Sequence, residues 1–392
     1  MSVGSAEGRQ AAAQAKDLHA LEAICPEYQA NEPYGVAQET IGYLYYFRFT
    51  ATSETLALDK ALVHMQAAVN DADDKHPALP RSQQSLAVVY NFLYNAAAVL
   101  DHLNLCINWL CFAVNGCHSD SPDLPQWFQS LAAAYTKRYK CHNDLDDLEQ
   151  AITYDKAAVE MVPANHQAFL RISQGLALSY CARFERLGKV GDLGKGIEIL
   201  FAAVRSSPEG HFDLPEAWRN LSVLYVNRFR VKGNKEDLEA AILLRKLAIQ
   251  KKPSGTSEYT TYTQLLGGAY GEHYRAYSSF EDLELSIKYL QKATDETPPE
   301  DPIYASLLED LGSSLMFRHK TIGGGEDVKN SLQYMELAVN SLASSDRKVL
   351  YAQRNLAMTY LEKPRLAGNI EHLEKAEELL NMALGAIPST DP

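Results

Sequence analysis

A single spacing constrains this chain more than anything else in it: the same residue types return every 45 positions, eight times, with no insertion or deletion. From Leu148 in the segment DDLEQAI, steps of 45 reach Leu193, Leu238, Leu283, Val328 and Leu373, and in the other direction Leu103 and Leu58. Ten residues after each of these anchors stands an alanine: Ala68, Ala113, Ala158, Ala203, Ala248, Ala293, Ala338 and Ala383. Thirteen before it stands Tyr45, Tyr90, Tyr135, Tyr180, Tyr225, Tyr270, Leu315 or Tyr360. Seventeen before it stands Ile41, Leu86, Leu131, Leu176, Leu221, Leu266, Leu311 or Leu356. Repetition this strict means that each segment is one supersecondary unit, which buries its apolar faces against its neighbours. A core of that kind grows along one axis, so 392 residues need not divide into globular domains.

The spacings within a repeat are helical. Leu131, Tyr135 and Tyr139 lie four apart on one face. Leu148, Ala151, Ile152, Ala158 and Val159 form a second apolar stripe. The polar run KCHNDLDD between them breaks the periodicity and reads as a loop. Each repeat is therefore helix A, a loop and helix B. The slot after the helix A leucine is always small (Gly42, Ala87, Ala132, Ala177, Ser222, Gly267, Gly312, Ala357), which lets the two helices approach closely. Acidic pairs before the anchor, such as Asp146 with Asp147 and Glu236 with Asp237, suit the open N–H groups and positive dipole of a helix start. Prolines five residues after the alanine (Pro163, Pro208, Pro253, Pro298, Pro388) mark helix ends.

The order Leu131-Ala132, Tyr135, Ala151, Ala158, Pro163 resembles the tetratricopeptide repeat (TPR), and Trp218 occupies that family's tryptophan position in one repeat. The family's repeat is 34 residues long; here the stretch from tyrosine to first alanine and the link between repeats are both longer. This 45-residue form, with RF or RY followed by DLExAI, is similar to arrays of fungal proteins that carry CHAT protease or NLR-type NTPase modules. The resemblance covers 36–387. It implies an all-α fold, a right-handed α-solenoid (superhelix) of eight TPR-like helix-turn-helix repeats. It also implies a non-catalytic protein-protein interaction scaffold or adaptor with a concave groove lined by helix A. Too few residues follow the array for a CHAT or NTPase domain, so neither activity is carried over. The expected layout is a disordered 1–8, an N-terminal capping helix and linker at 9–35, one solenoid domain at 36–387 and a tail at 388–392. Four residues after the anchor, Glu377 replaces the leucine or isoleucine of the other repeats, as a terminal repeat requires.

A formal charge of −13 repels phosphate backbones and anionic lipids, so the expected partner is a protein, not nucleic acid or a membrane. No run of 18 apolar residues occurs, and the start, MSVGSAEGRQAAAQAKDL, has no leader-like apolar core. Six cysteines in so long a chain do not make a disulfide framework, and a cytoplasmic location is expected. Of Cys106, Cys111, Cys117-His118 and Cys141-His142, the first fills the small-residue slot of a helix B, while the two Cys-His pairs fall in loops at opposite ends of a helix, about 20 Å apart, so no metal is expected. GKVGDLGKG lacks P-loop spacing, and neither HExxH nor GxSxG occurs, so no cofactor and no catalytic site is expected.

Three sets of residues are candidates for binding. Two positions before the helix A leucine lies a polar column that points away from the apolar stripe. Its long side chains, Gln84, Gln129, Gln174, Arg219 and Gln264, with Arg81 and Arg171 nearby, could bond an extended peptide backbone or simply be solvated. A basic column near the end of helix A (Arg48, Arg138, Arg183, Arg228, His273, Arg318, Lys363) could be a ladder for acidic peptide, or could pair with the acidic start of helix B. Repeat 2 has an apolar turn and helix B; Val99, Leu100, Trp109 and Phe112 are either covered by N-terminal residues or form a self-association patch. The alternative to a scaffold is an accessory or small-molecule-binding protein, even an atypical enzyme, of a fungal metabolic pathway. Its support is the surplus of 22 tyrosines.

Overall fold

The structure, a computed structural model, describes residues 36–72, 76–342, 348–362 and 370–385. The expectations for 1–35 and 388–392, and for Lys363 and Pro388, fall outside these residues. The sixteen described helices alternate as the repeat demands, and the chain divides into two compact units. The unit ending at Ser207 holds α1 (Val36–Thr52), α2 (Thr55–Asn70), α3 (Leu79–Ala97), α4 (Leu100–Gly116), α5 (Leu124–His142), α6 (Leu145–Met161), α7 (Phe169–Leu187) and α8 (Val190–Ser206). The unit starting at Pro208 holds α9 (Leu214–Lys232), α10 (Lys235–Gln250), α11 (Ser257–Tyr277), α12 (Phe280–Asp295), α13 (Tyr304–Ile322), α14 (Gly325–Ser341), α15 (Lys348–Glu362) and α16 (Ile370–Gly385). Within each unit a first helix packs on its own second helix, and that second helix packs on the next first helix. First helices also touch, α5 with α7 and α13 with α15. Each unit is an all-α solenoid of four stacked hairpins.

The loops are shorter than the sequence led us to expect. Helix α5 continues through His142 and α6 begins at Leu145, so Asn143 and Asp144 alone join them. Cys141 and His142 therefore belong to a helix, not to a loop. The extra length of the 45-residue period goes largely into the helices, several of which run to 19 residues. A two-residue turn works because its first member takes a positive φ: Ser53, Ala98, Asn143, Gly188, Gly233, Ser278 and Gly323, at 52–75°. The N–H of each bonds the carbonyl four residues back at 2.7–2.8 Å, which closes the first helix. The next residue is extended in most turns, and Asp144 caps α6 by accepting from the N–H of Asp146 at 3.0 Å.

The repeat columns are the core. Every anchor from Leu58 to Val328 is at most 2% exposed, and the alanines from Ala68 to Ala338 are at most 1%. Small residues allow this density. A Cβ added to Gly267 would sit 2.7 Å from Leu290 Cγ, so the side chain seven after the anchor presses onto the small slot of its own first helix. Tyrosines stack rather than merely fill space: Tyr135 lies parallel to Tyr154 (5.9 Å, 7°) and Tyr270 to Tyr289 (5.8 Å, 2°). The last helix differs, since α16 leaves Ile370, Leu373 and Met382 exposed beside Glu377.

Ala98 carries a Cβ in a conformation that disfavours one by about 1–2 kcal/mol, and three equivalent positions are glycine. Ala98→Gly should stabilise the protein by about 1 kcal/mol. Urea unfolding measures this; an unchanged or lower midpoint would contradict the turn geometry.

Candidate functional site

The basic column is structural. Arg138 lays its guanidinium fork on Asp147 (2.9 and 2.6 Å), Arg183 on Asp192 (2.7 and 2.8 Å) and Arg318 on Asp327 (2.9 and 2.7 Å). Arg228 pairs in the same way with Asp237, and His273 meets Asp282 at 2.7 Å. The remaining arginine nitrogen reaches the preceding hairpin: Arg138 to Asn104 at 3.1 Å, Arg183 to Glu149 at 2.7 Å, Arg318 to Glu284 at 3.3 Å. One side chain thus ties three helices. The fork bond holds Asp192 below the usual carboxylate range, and the same bond raises Arg183. Of the two readings open from the sequence, pairing with helix B is the one observed.

First helices are laced together by polar side chains at two levels. At the upper level Gln129 Nε2 donates to the Arg171 carbonyl (3.1 Å), and Arg171 reaches Gln126. Gln264 Nε2 bonds Ser306 (2.9 Å) and Asp310 (3.0 Å), and Asn355 donates to Glu309 (3.0 Å). Arg219 clasps Glu216, which also accepts from the Tyr262 hydroxyl at 2.9 Å. Gln84 is half-buried, while Arg81 and Arg171 are exposed. Gln174 corrects the sequence reading: it is 6% exposed and does not stand on an open face. At the lower level Arg230 meets Glu272, Lys320 meets Glu362 at 2.8 Å, and Lys137 meets Asn95 at 3.0 Å.

Between the two levels runs a strip without charge. The positions 15 and 12 before the anchor hold no charged residue in any repeat, from Tyr43 and Tyr46 to Met358 and Leu361. Several of its apolar members face solvent, including Ala133, Leu178 (40%) and Met358 (53%). The strip opens into a cavity at matching repeat positions in each compact unit. One, about 160 Å³, lies among α3, α4 and α5 and is lined by Val88, Asn91, Cys106, Leu110, Ser130 and Lys137. The other, about 140 Å³, lies among α13, α14 and α15 and is lined by Met316, Lys320, Met335, Asn355, Met358 and Glu362. A third cavity of about 330 Å³ sits against α16, with Glu336, Tyr360, Lys375 and Glu378 in its wall.

Two charged residues escaped the sequence reading. Seven after the anchor stand Met65, Leu110, Leu200, Leu290, Met335 and Leu380, but Asp155 in repeat 3 and Arg245 in repeat 5. Comparing that column would have found them. Asp155 is 2% exposed and accepts from Ser179 Oγ at 2.7 Å. Gly175 makes its room: a Cβ there would lie 2.9 Å from Asp155 Oδ1. Burial pushes the Asp155 carboxyl up to about 7, against the Ser179 bond. Arg245, also buried, donates to Ser222 at 3.0 Å and to the Leu265 carbonyl, and burial pulls it down to about 10.

In repeat 2, Phe112 is 57% exposed and tilts against half-buried Trp109 (5.6 Å); Val99 is exposed and Leu100 half-buried. The tyrosine column that motivated a small-molecule reading is packed, with Tyr45, Tyr90, Tyr180, Tyr270 and Tyr360 all buried. Among the described residues no group of three His, Cys, Asp or Glu is placed to hold a metal, and no helix is long and apolar enough to cross a membrane.

No protein family and no curated protein matches the sequence. Solved structures with similar folds include a human IFIT1 dimer with m7Gppp-AAAA (17% identity, 95% of this chain and 73% of that one, TM-score 0.47). Others are BtubC (BKLC) from P. vanneervenii (14%, 68% and 95%, TM-score 0.42) and a Podosopora anserina putative kinesin light chain with nearly identical TPR-like repeats (17%, 56% and 95%, TM-score 0.40). None of these likenesses reaches a TM-score of 0.5, and the fold assignment rests on the helical array itself.

The raised Asp155 pKa fixes a pH dependence. The folded chain holds this proton from the ordinary value of 3.8 up to about 7 while the unfolded chain has lost it, so stability falls as pH rises through that window. A rise from 3.8 to about 7 corresponds to roughly 4 kcal/mol. Asp155→Leu should remove the slope, so that its advantage over the parent grows between pH 4 and pH 7 and levels off above. Parallel unfolding curves across that range would refute the assignment.

Proposed function

We propose that this chain is a non-catalytic interaction scaffold of the tetratricopeptide type, which presents the first-helix face of its hairpins to a protein or peptide segment. The observation that carries this reading is the uncharged strip on that face, with exposed apolar side chains and a cavity at the same repeat positions in each compact unit. Exposed apolar surface bordered by polar residues is the usual mark of a protein-binding face. Arg81, Arg171 and the edge residues Gln84, Gln129, Arg219 and Gln264 form its polar border. The strip cavities, at 160 and 140 Å³, fall below the roughly 300–1,000 Å³ of small-molecule sites, which favours side-chain anchors over a metabolite. The similarity of the long repeat to fungal CHAT and NLR-type arrays supports a regulatory setting, in the cytoplasm.

Immobilised protein should capture a defined partner from a lysate, identified by mass spectrometry. Ala133→Arg together with Met358→Arg should lower capture at least tenfold, whereas Gln150→Arg, on the exposed side of α6, should leave it unchanged. The reverse pattern would move the binding face to the second helices and overturn the reading.

A further inference from the structure

We propose that Lys137, in the wall of the cavity among α3, α4 and α5, is the docking point for the carboxylate of a glutamate or aspartate side chain on the bound protein segment. The inference rests on the scaffold reading and names the chemistry of one contact within it.

The repeat supplies its own control. Eleven residues before the anchor, repeats 6 and 8 carry Glu272 and Glu362. Each meets a cation eight before the anchor of the preceding repeat, Arg230 and Lys320. Between repeats 2 and 3 the same two slots hold Asn95 and Lys137. The cation has moved to the other slot, and the position that should oppose it is a neutral amide. Lys137 Nζ donates to Asn91 Oδ1 (2.6 Å) and Asn95 Oδ1 (3.0 Å), and among the described residues no carboxylate pairs with it. An ammonium carries three donors, so one is left for a further acceptor.

A half-buried ammonium without counter-charge is unfavourable, and burial lowers the Lys137 pKa accordingly. The cavity wall provides no anion: burial pushes the neighbouring Cys106 thiol up to about 12, so it stays neutral. Lys140 adds a second positive charge close by. An arriving carboxylate would therefore meet an unneutralised cation in a chain whose net charge is −13, which makes this contact selective rather than part of a general attraction. The space of about 160 Å³ suits one side chain, with Val88, Leu110 and Ala134 to cover its methylenes and exposed Ala133 at the mouth.

The test uses the full chain and two blocked pentapeptides, Ala-Ala-Glu-Ala-Ala and its Gln twin, with saturation-transfer NMR as readout. The Glu peptide should give at least threefold the signal of the Gln peptide. Lys137→Arg should keep that preference and Lys137→Met should abolish it, with unchanged helical circular dichroism in both. Equal signals from the two peptides, or a preference that survives Lys137→Met, would overturn the proposal. Free propionate competing as well as the Glu peptide would also overturn it, in favour of a small acid as occupant. If Ala133→Arg with Met358→Arg abolishes lysate capture while the pentapeptides show no preference, the scaffold stands and this contact falls. If those rim variants leave capture intact, the scaffold reading itself fails.

Discussion

The closeness of the two helices in each hairpin governs everything else in this molecule. Side chains such as Leu290 and Met335 press onto glycines so tightly that an added Cβ at Gly267 or Gly312 would fall 2.7–3.1 Å from them. At that separation the anchors from Leu58 to Val328 and the alanines from Ala68 to Ala338 are shut off from water. The hairpin still exposes apolar surface on both flanks, and only another hairpin can cover it. A fixed period follows: an insertion in one helix would rotate its flank away from the neighbour that buries it.

Much of the polar chemistry then lies at the helix ends and along the first-helix seams. Arginine forks occupy the turn end of the hairpins, and amide and carboxylate pairs occupy the first-helix seams. Each fork spans its own aspartate and the hairpin before it, as Arg183 does with Asp192 and Glu149. In each pair the aspartate is buried and the arginine only partly exposed, so the bidentate geometry carries more than an exposed ion pair would. The directional demands of these pairs fix rotation and register, which apolar contacts alone leave soft. Asp155 and Arg245 break the pattern by placing ionisable groups where other repeats have leucine or methionine, at a cost in stability that packing elsewhere must offset.

How much of this was legible in the sequence depends on whether a residue obeys or breaks its column. The helical hairpins were readable because Leu148, Ala151 and Ala158 recur with the period and are buried with it. Loop length was misjudged because KCHNDLDD is largely polar, and polarity does not separate an exposed helix end from a turn; the left-handed Asn143 made the difference. Gln174 was misplaced because a long amide looks solvated in a one-dimensional pattern, although this one is buried. Lys137 is invisible singly. It becomes informative only beside Glu272 and Glu362 in the same slot, with their partners identified in space.

The long first helices carry a consequence for shape. Their upper and lower polar levels are separated by eight residues, from Gln129 to Lys137 for instance, which is about 12 Å along the axis. An α-helix with its side chains is about 10–12 Å across, and an extended chain is narrower. Within each compact unit the uncharged strip is thus a track of single width: it has room for one polypeptide strand or one helix laid across the hairpins of that unit, and the charged kerbs on either side leave none for a second.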